Sequence, residues 1–338
     1  MTRRLIVSTV VVVSALVLLV FAWPQLVGLQ FAPLVAQAVS LRAAAALCGL
    51  GLALVVLLVT LASRPFRRVG SALVVLLLVF VAANGAILAS RGFDESGASA
   101  TKPEGAVTVL AWNTLGDSPG AQAIADLVLE TDADIVSLPE TTQITATEVA
   151  VILRDAGRPM WVHSVAFDLV SKARSTSLLT SVDLGTYTVD STRGNTSVVP
   201  SVVVTSDDGS GPTIVAAHPV APIPGFLDDW RSDLEWVGDA CTGSDIILAG
   251  DLNSTVDHYG SLANGDAAIG DCFDSAVEAG AGAIGTWPTG VPATLGAPID
   301  HVMATAEWDV VSAHVIDDRD DFGSDHRPIT ATLLRETD

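Results

Sequence analysis

The sequence predicts a mixed α and β domain, of the α+β class, carried on three transmembrane helices. The first sign is a partition of charge: residues 1–91 contain no Asp or Glu and seven of the 17 basic residues, whereas the rest hold all 38 acids and ten bases, a formal charge of −28. The second is that three uncharged apolar stretches fill the first part. The third is a series of apolar strand-like runs in the second part, VTVLAWN, DIVSLPE, TIVAAHP, DIILAGDLN, PIDHVMA and GSDHRPI, most of them ending in a group suited to phosphate or metal chemistry. A continuous Val, Ile and Leu run marks a strand buried on both faces, so a polar residue at its end lies at the rim of the sheet, where a site can form.

The apolar stretches run from Leu5 to Ala22, Ala43 to Ala62 and Ser71 to Ser90. Each is about 18 to 20 residues long, enough for a helix to cross the roughly 30 Å hydrocarbon core. A cleaved signal peptide is the alternative for the first, but Trp23-Pro24-Gln25 follows it and offers no small-x-small cleavage site. Basic residues near short loops are retained on the cytoplasmic side. Arg3 and Arg4 precede the first span, and Arg64, Arg67 and Arg68 lie between the second and third. The expected topology is therefore multi-pass, with a cytoplasmic N-terminus and everything after Ser90 outside; Arg42 alone falls on the opposite side.

Residues 1–91 thus form an expected membrane domain. Gly92 to Gly105, GFDESGASATKPEG, is small, polar and turn-rich, the composition of a flexible linker. Residues 106–338 are enough for one extracytoplasmic domain with its own core. Helical patterns fall at Gly120 to Thr131, Thr145 to Ala156, Phe226 to Thr242 and Asp274 to Ala279. Further strands are expected at Ser177 to Ser181, Ser201 to Thr205, Trp308 to Ile316 and Pro328 to Leu334.

Of the three cysteines, Cys48 lies in the second span and reads as a small apolar packing residue. Cys241 and Cys272 lie in the domain assigned to the oxidising side, where a bridge between them is expected and two free thiols are the alternative. No zinc-type spacing occurs.

The chemistry starts at Gly250-Asp251-Leu252-Asn253, where a carboxylate and an amide stand two residues apart after an apolar run. In extended chain they point the same way. Alone, the tetrapeptide is also an ordinary turn sequence. Ser324-Asp325-His326-Arg327-Pro328 gathers an acid, an imidazole and a base before a strand, and Asp300 in PIDH offers an acid able to hold a histidine tautomer.

The order Asn, Glu, His, Asp-x-Asn, Asp, Ser-Asp-His resembles the endonuclease/exonuclease/phosphatase superfamily over roughly Val107 to Leu334. The resemblance implies a DNase I-like four-layer α/β/β/α sandwich of two mixed sheets. It implies that Asn113, Glu140 and Asp325 stand at or near a metal, expected to be Mg2+ with Mn2+ as the alternative, a hard cation that keeps waters and phosphate oxygens around few protein ligands. It implies further that His218 contacts the phosphoryl group or assists the leaving oxygen. Asp251 and Asn253 then align the water and hold the phosphate, and Asp300 pairs with His326. Either Asp251 or the Asp300/His326 pair accepts the proton of an attacking water. Pro139 precedes Glu140 where many relatives carry Gln, Leu252 replaces a frequent Phe, and no acid stands two residues after Asn113. The family's tyrosine or arginine phosphate contact has no clear counterpart between Trp161 and Ser181, where Lys172 and Arg174 are the only cations.

His163, His258, His301 and His314 read as surface or core histidines, Trp287 as a packed aromatic, and Asp228-Asp229 and Asp317 to Asp321 as solvated surface. A domain of formal charge −28 repels a polyphosphate backbone over most of its surface, which disfavours nucleic acid as a partner. The tether keeps the cleft near a lipid bilayer. Three spans plus an outward domain resemble the VanJ-type membrane proteins linked to teicoplanin resistance in actinobacteria, which implies a bacterial plasma membrane and a polyprenyl phosphate or pyrophosphate as the lipid substrate. A membrane-anchored extracellular nuclease and a non-catalytic binding ectodomain are the alternatives.

Overall fold

The computed structural model describes residues 2–94 and 102–336. The chain divides into two units, Met1–Arg91 and Gly92–Asp338. Three helices of the first unit are long and apolar enough to cross a membrane: α1 (Thr2–Ala22), α3 (Arg42–Ala62) and α4 (Arg67–Arg91), with a short α2 (Val35–Ser40) between the first two. The expected spans fall inside these helices. Small residues let α3 and α4 approach, since a Cβ at Gly49 would stand 3.1 Å from the Phe80 ring. Arg42 is buried in this bundle and donates to Asn84 Oδ1 at 2.8 Å and to the Ala22 carbonyl at 3.1 Å. Its place is thus set by packing inside the bundle, not by a basic loop.

Half of the expected linker, residues 95–101, lies outside the described residues, and the described residues on either side are bonded within the second unit. Asp94 N–H donates to Gly280 O at 2.9 Å and Ala283 N–H to Gly92 O at 3.0 Å, while Lys102 pairs with Asp134 at 2.6 Å.

The second unit is built on two six-stranded sheets. The first contains β1 (Val107–Ala111), β2 (Ile135–Pro139), β3 (Met160–Ala166), β4 (Ser175–Ser181), β11 (Trp308–Val315) and β12 (Ile329–Arg335), in the order β11-β12-β1-β2-β4-β3. The second contains β5 (Tyr187–Val189), β6 (Val202–Ser206), β7 (Thr213–Ala217), β8 (Ile246–Asp251), β9 (Phe273–Asp274) and β10 (Asp300–Ala304), in the order β5-β6-β7-β8-β10-β9. Both are mixed: β1–β2 and β7–β8 are parallel and their other neighbours antiparallel.

The sheets pack face to face through one core of Val109, Ala111, Ile135, Ile214, Ile247, Val302 and Ala331 among others. Helices α5 (Gly120–Thr131) and α6 (Gln143–Asp155) cover the outer face of the first sheet through Leu110, Ile124, Leu127, Val136, Val149 and Leu153. Helix α7 (Leu227–Ala240) crosses between parallel β7 and β8, as a parallel pair requires. This is the four-layer sandwich implied by the motif order. Thr142 caps α6 by accepting Thr145 N–H, and Asp132 closes α5 in the left-handed region at φ 49°.

Two further features are local. Cys241 and Cys272 are joined in a disulfide with Cα atoms 5.9 Å apart, the expected bridge. Asp320, expected as solvated surface, pairs instead with the buried Arg327 at 2.6 Å.

Candidate active site

The sheet pairings bring the polar strand ends to one edge. Because β12 runs antiparallel to β1 with Ala111 opposite Ile329, the residues before Ile329 lie beside those after Ala111. Ser324 Oγ accordingly donates to Asn113 O at 2.6 Å, and Trp112 Nε1 to His326 O at 2.9 Å. Antiparallel β8 and β10 place Asp300 directly opposite Asp251. The two sheets are fastened together just below this edge, where Ser137 Oγ donates to Ala249 O across the core at 2.8 Å.

The backbone here is specialised. Gly250, at φ +150°, lies so near the neighbouring strand that a Cβ would stand 2.1 Å from Ala217 O; only glycine fits that approach. Glu140 at φ 58° and Asn253 at φ 47° occupy the left-handed region, which turns the chain sharply at the ends of β2 and β8.

Asn113 Nδ2 donates to Asp251 Oδ2 at 2.9 Å and to Glu140 Oε1 at 3.2 Å, while its oxygen accepts Leu115 N–H at 3.0 Å. As placed, Asn113 spaces two carboxylates and keeps its oxygen on the backbone; the ligand role expected for it needs that oxygen turned to the cleft. Asp251 Oδ1 accepts Asn253 N–H at 2.8 Å, and Asn253 Nδ2 donates to Pro219 O at 2.9 Å. His326 Nδ1 is bonded to Asp300 Oδ2 at 2.8 Å, and its Nε2 faces Asp251 Oδ2 at 3.7 Å and Asp325 Oδ1 at 4.0 Å. His218 is buried with Nδ1 3.4 Å from Thr176 Oγ1, which itself donates to Pro200 O. Thr176 is thereby left as acceptor, so Nδ1 carries the His218 proton and Nε2 is bare. Asn113, Glu140, Asp251, Asn253, Asp300, Asp325 and His326 are joined by direct contacts, and His218 reaches the same group electrostatically through Asp251 and His326.

Burial raises the Glu140 carboxyl above its ordinary value; the Asn113 amide opposes this, and Asp251 and Asp325 push it further up. Burial likewise raises Asp251, with the His326 charge opposing and Asp300 reinforcing. Burial alone would lower His326, but Asp300, Asp251 and Asp325 outweigh it and hold the imidazole at about 10. His218 is pushed down to about 4 by burial, so its ring is neutral at pH 7.

These residues suit a hard divalent cation. Asp251, Asp300 and His326 offer ligand atoms within 4.8 Å of one another, but the Asp300–His326 bond already accounts for much of that approach and occupies Nδ1. The acid excess lies on the other side, where the charges of Asp251 and Asp325 add to the burial that raises Glu140. There Asp325 Oδ1, like Asp300 Oδ1, is buried without a hydrogen-bond partner among the described residues. Crowded, partly orphaned carboxylate oxygens are what a cation relieves.

Several site contacts escaped sequence reading. Trp287 Nε1 donates to Asp325 Oδ2 at 2.9 Å, giving the aromatic a polar task. His301, on the opposite face of β10 from Asp300, binds Asp274 through Nδ1 at 2.6 Å and Ser254 O through Nε2 at 2.9 Å. Both partners are acceptors, so the ring is a doubly protonated cation that pins the turn carrying Asp251 and Asn253. Lys172 and Arg174 are engaged with Asp117 and Asp168, each at 3.2 Å.

Comparison with solved structures finds the same fold. An endonuclease/exonuclease/phosphatase from Beutenbergia cavernae is 21% identical, with a TM-score of 0.51 over 69% of this chain and 72% of its own. A humanized D. rerio TDP2 is 16% identical, with a TM-score of 0.52 over 68% of this chain and 99% of its own. A truncated Caenorhabditis elegans TDP2 is 17% identical, with a TM-score of 0.50 over 68% and 98%. No curated protein matches the chain. The sequence pattern of the Endonuclease/Exonuclease/phosphatase family matches residues 110–326, from within β1 to His326. With every site motif from Asn113 to His326 inside that match, the chain belongs to the endonuclease/exonuclease/phosphatase family.

Proposed function

We propose that the protein is a membrane-anchored, divalent-metal-dependent phosphoesterase that hydrolyses a lipid-linked phosphate or pyrophosphate, such as a polyprenyl pyrophosphate, by direct water attack. The observation that carries the reading is the Asp300–His326 pair set against Asp251, beside the crowded carboxylates of Glu140 and Asp325. Mg2+ bound there supplies charge that polarises the phosphoryl oxygens. Glu140 and Asp325 hold it, and Asn113 keeps Glu140 and Asp251 apart at hydrogen-bond distance. Asp300 fixes the His326 ring, which at about 10 is protonated near neutral pH and offers its Nε2–H as a donor, so Asp251 is the acceptor for the water's proton. In this reading Asn253 holds the phosphate, and His218 serves the phosphoryl group or the leaving oxygen through Nε2. The acidic surface argues for a lipid phosphate over nucleic acid, since a polyanion gains its affinity from cationic residues.

The test is phosphate or nucleotide release by the full-length chain in micelles, with Mg2+ or EDTA, from a polyprenyl pyrophosphate, a phosphoinositide and plasmid DNA. Glu140→Gln and His326→Ala should each lose at least about 100-fold in turnover. Mg2+ at about 100 times its Kd should stabilise the wild type by about 2.7 kcal/mol and leave Glu140→Gln nearly unmoved. Full activity in both variants, or cleavage of DNA alone, refutes the reading.

A further inference from the structure

The exposed apolar side chains of the second unit are not scattered. Among its described residues, the large apolar side chains at half exposure or more are Ile144 (74%), Leu169 (97%), Val170 (94%) and Ile223 (50%). All four sit on segments at the end of the sheets that carries the site. Ile144 opens α6, four residues after Glu140. Leu169 and Val170 lie in the connection between β3 and β4, and Pro139 pairs with Thr176, so the base of that hairpin stands beside Glu140. Ile223 follows His218 in the connection to α7. Isolated exposed apolar residues need no explanation, but fully exposed ones grouped round a cleft mark an interaction surface.

The charge beside them is also particular. Lys172 and Arg174 follow the tip directly, two of only ten bases against 38 acids after residue 91. Lys172 is itself well exposed although its partner Asp117 is not, and the Arg174–Asp168 pair is partly exposed, so both cations stand at the surface beside the tip. An apolar tip flanked by long cationic side chains is the pattern of a segment that enters a lipid interface, the apolar part reaching the acyl boundary and the cations staying at phosphate level. The chain itself names the occupant. Its three candidate spans end at Arg91, and β1 begins at Val107. Even fully extended, the intervening chain spans roughly 50 Å, so the domain is held near any bilayer that those spans cross.

We propose that the tips round the cleft, Leu169 and Val170 foremost, dock the domain onto the bilayer surface, with Lys172 and Arg174 at the level of the lipid phosphates. Docking of this kind delivers the cleft to membrane-embedded phosphate esters; for the substrate it rests on the function proposed above, while its test does not.

The full chain, in a Cys48→Ser background, carries an environment-sensitive fluorophore at Leu169→Cys or, as control, at Val151→Cys on the exposed side of α6. Each is reconstituted in phosphatidylcholine/phosphatidylglycerol vesicles containing lipids with a nitroxide on the acyl chain. The label at 169 should be quenched at least about threefold more than the label at 151. Equal quenching at both positions overturns the proposal, and so does shielding of the 169 label from aqueous iodide without nitroxide quenching, which would mean that protein covers it. Leu169→Asp with Val170→Asp should lower the rate on a vesicle-embedded phosphate ester about tenfold relative to the rate on a soluble aryl phosphodiester; an unchanged ratio also counts against docking. Quenching without hydrolysis of any lipid phosphate leaves docking standing and removes only the substrate reading.

Discussion

Asp300→Asn isolates the proton-handling half of the site. The Asp300 carboxylate is buried and its Oδ2 lies 2.8 Å from His326 Nδ1. Asparagine keeps the shape and can keep a hydrogen bond, so the change removes charge with little loss of packing. A hydrogen bond to a charged group contributes about 1.5–3 kcal/mol and a neutral one about 0.5–1.5, so the domain should lose about 1–1.5 kcal/mol of stability. The larger effect is on the ring. Burial pulls His326 down, and Asp300 heads the charges that hold it at about 10; without that charge the imidazole titrates lower and its tautomer is no longer fixed. Removing a positioned acid/base group costs about 10²–10⁴ in rate, equivalent to about 3–5 kcal/mol of barrier. The assay is hydrolysis of a soluble aryl phosphodiester at saturating Mg2+ across pH 5–10, with circular dichroism to confirm folding. The loss should appear in kcat with KM little changed, and the pH profile should shift. A folded Asp300→Asn protein within about threefold of wild type at every pH would refute a catalytic role for the pair.

Two further outcomes follow from buried histidines. His301→Gln leaves the Asp274 carboxylate buried without its cation and frees the Ser254 carbonyl, which should cost about 3–5 kcal/mol. Thermal unfolding should fall by on the order of 10 °C and recover substantially in the double variant with Asp274→Asn; additive losses would show that the two do not act as a pair. For His218 the folded value is lowered by burial from 6.5 to about 4. The unfolded chain therefore binds the proton more tightly, and stability present above pH 6.5 is lost as pH falls from there toward about 4. The span is worth about 3 kcal/mol. Denaturant titrations at stepped pH should show that slope in the wild type and a flatter one in His218→Gln; parallel slopes would refute the assignment.

How much of this was legible in the sequence depended on whether one segment carried its own signal. Buried strands such as Val107–Ala111 and Ile246–Asp251 announce themselves as apolar runs, and α5 matches its predicted limits from Gly120 to Thr131. Strand β3 was not foreseen because Met160–Ala166 is an edge strand, mostly half-buried, in which Trp161, His163 and Ser164 interrupt any apolar run. The residues at the strand ends were legible from their order, whereas their partners were not. His301 does face away from Asp300, as expected of strand neighbours, yet its role depends on the β9–β10 register that brings Asp274 opposite Met303. Trp287 on Asp325 and Arg327 on Asp320 likewise depend on long loops whose course no local pattern encodes.

The backbone at the site bears on why these loops are held so firmly. Asparagine enters the left-handed region readily, but a glutamate there costs on the order of 1–3 kcal/mol and persists only where its surroundings fix it. Glu140 at φ 58° is fixed twice over: its carbonyl accepts Thr114 Oγ1 at 3.1 Å, and Thr114 Oγ1 also lies 2.8 Å from Thr141 Oγ1. Asn253 at φ 47° is fixed by Asp251 on one side and on the other by Trp230 Nε1, which donates to its carbonyl at 3.1 Å. The His301 cation then holds the next residue, Ser254. Each strained turn carries a side chain that the proposed chemistry uses, and each is braced in part from outside the reacting centre, by Thr114 at Glu140 and by Trp230 and His301 at the turn of Asn253 and Ser254. Variants at those braces should shift the geometry of the carboxylates while leaving the carboxylates themselves in place.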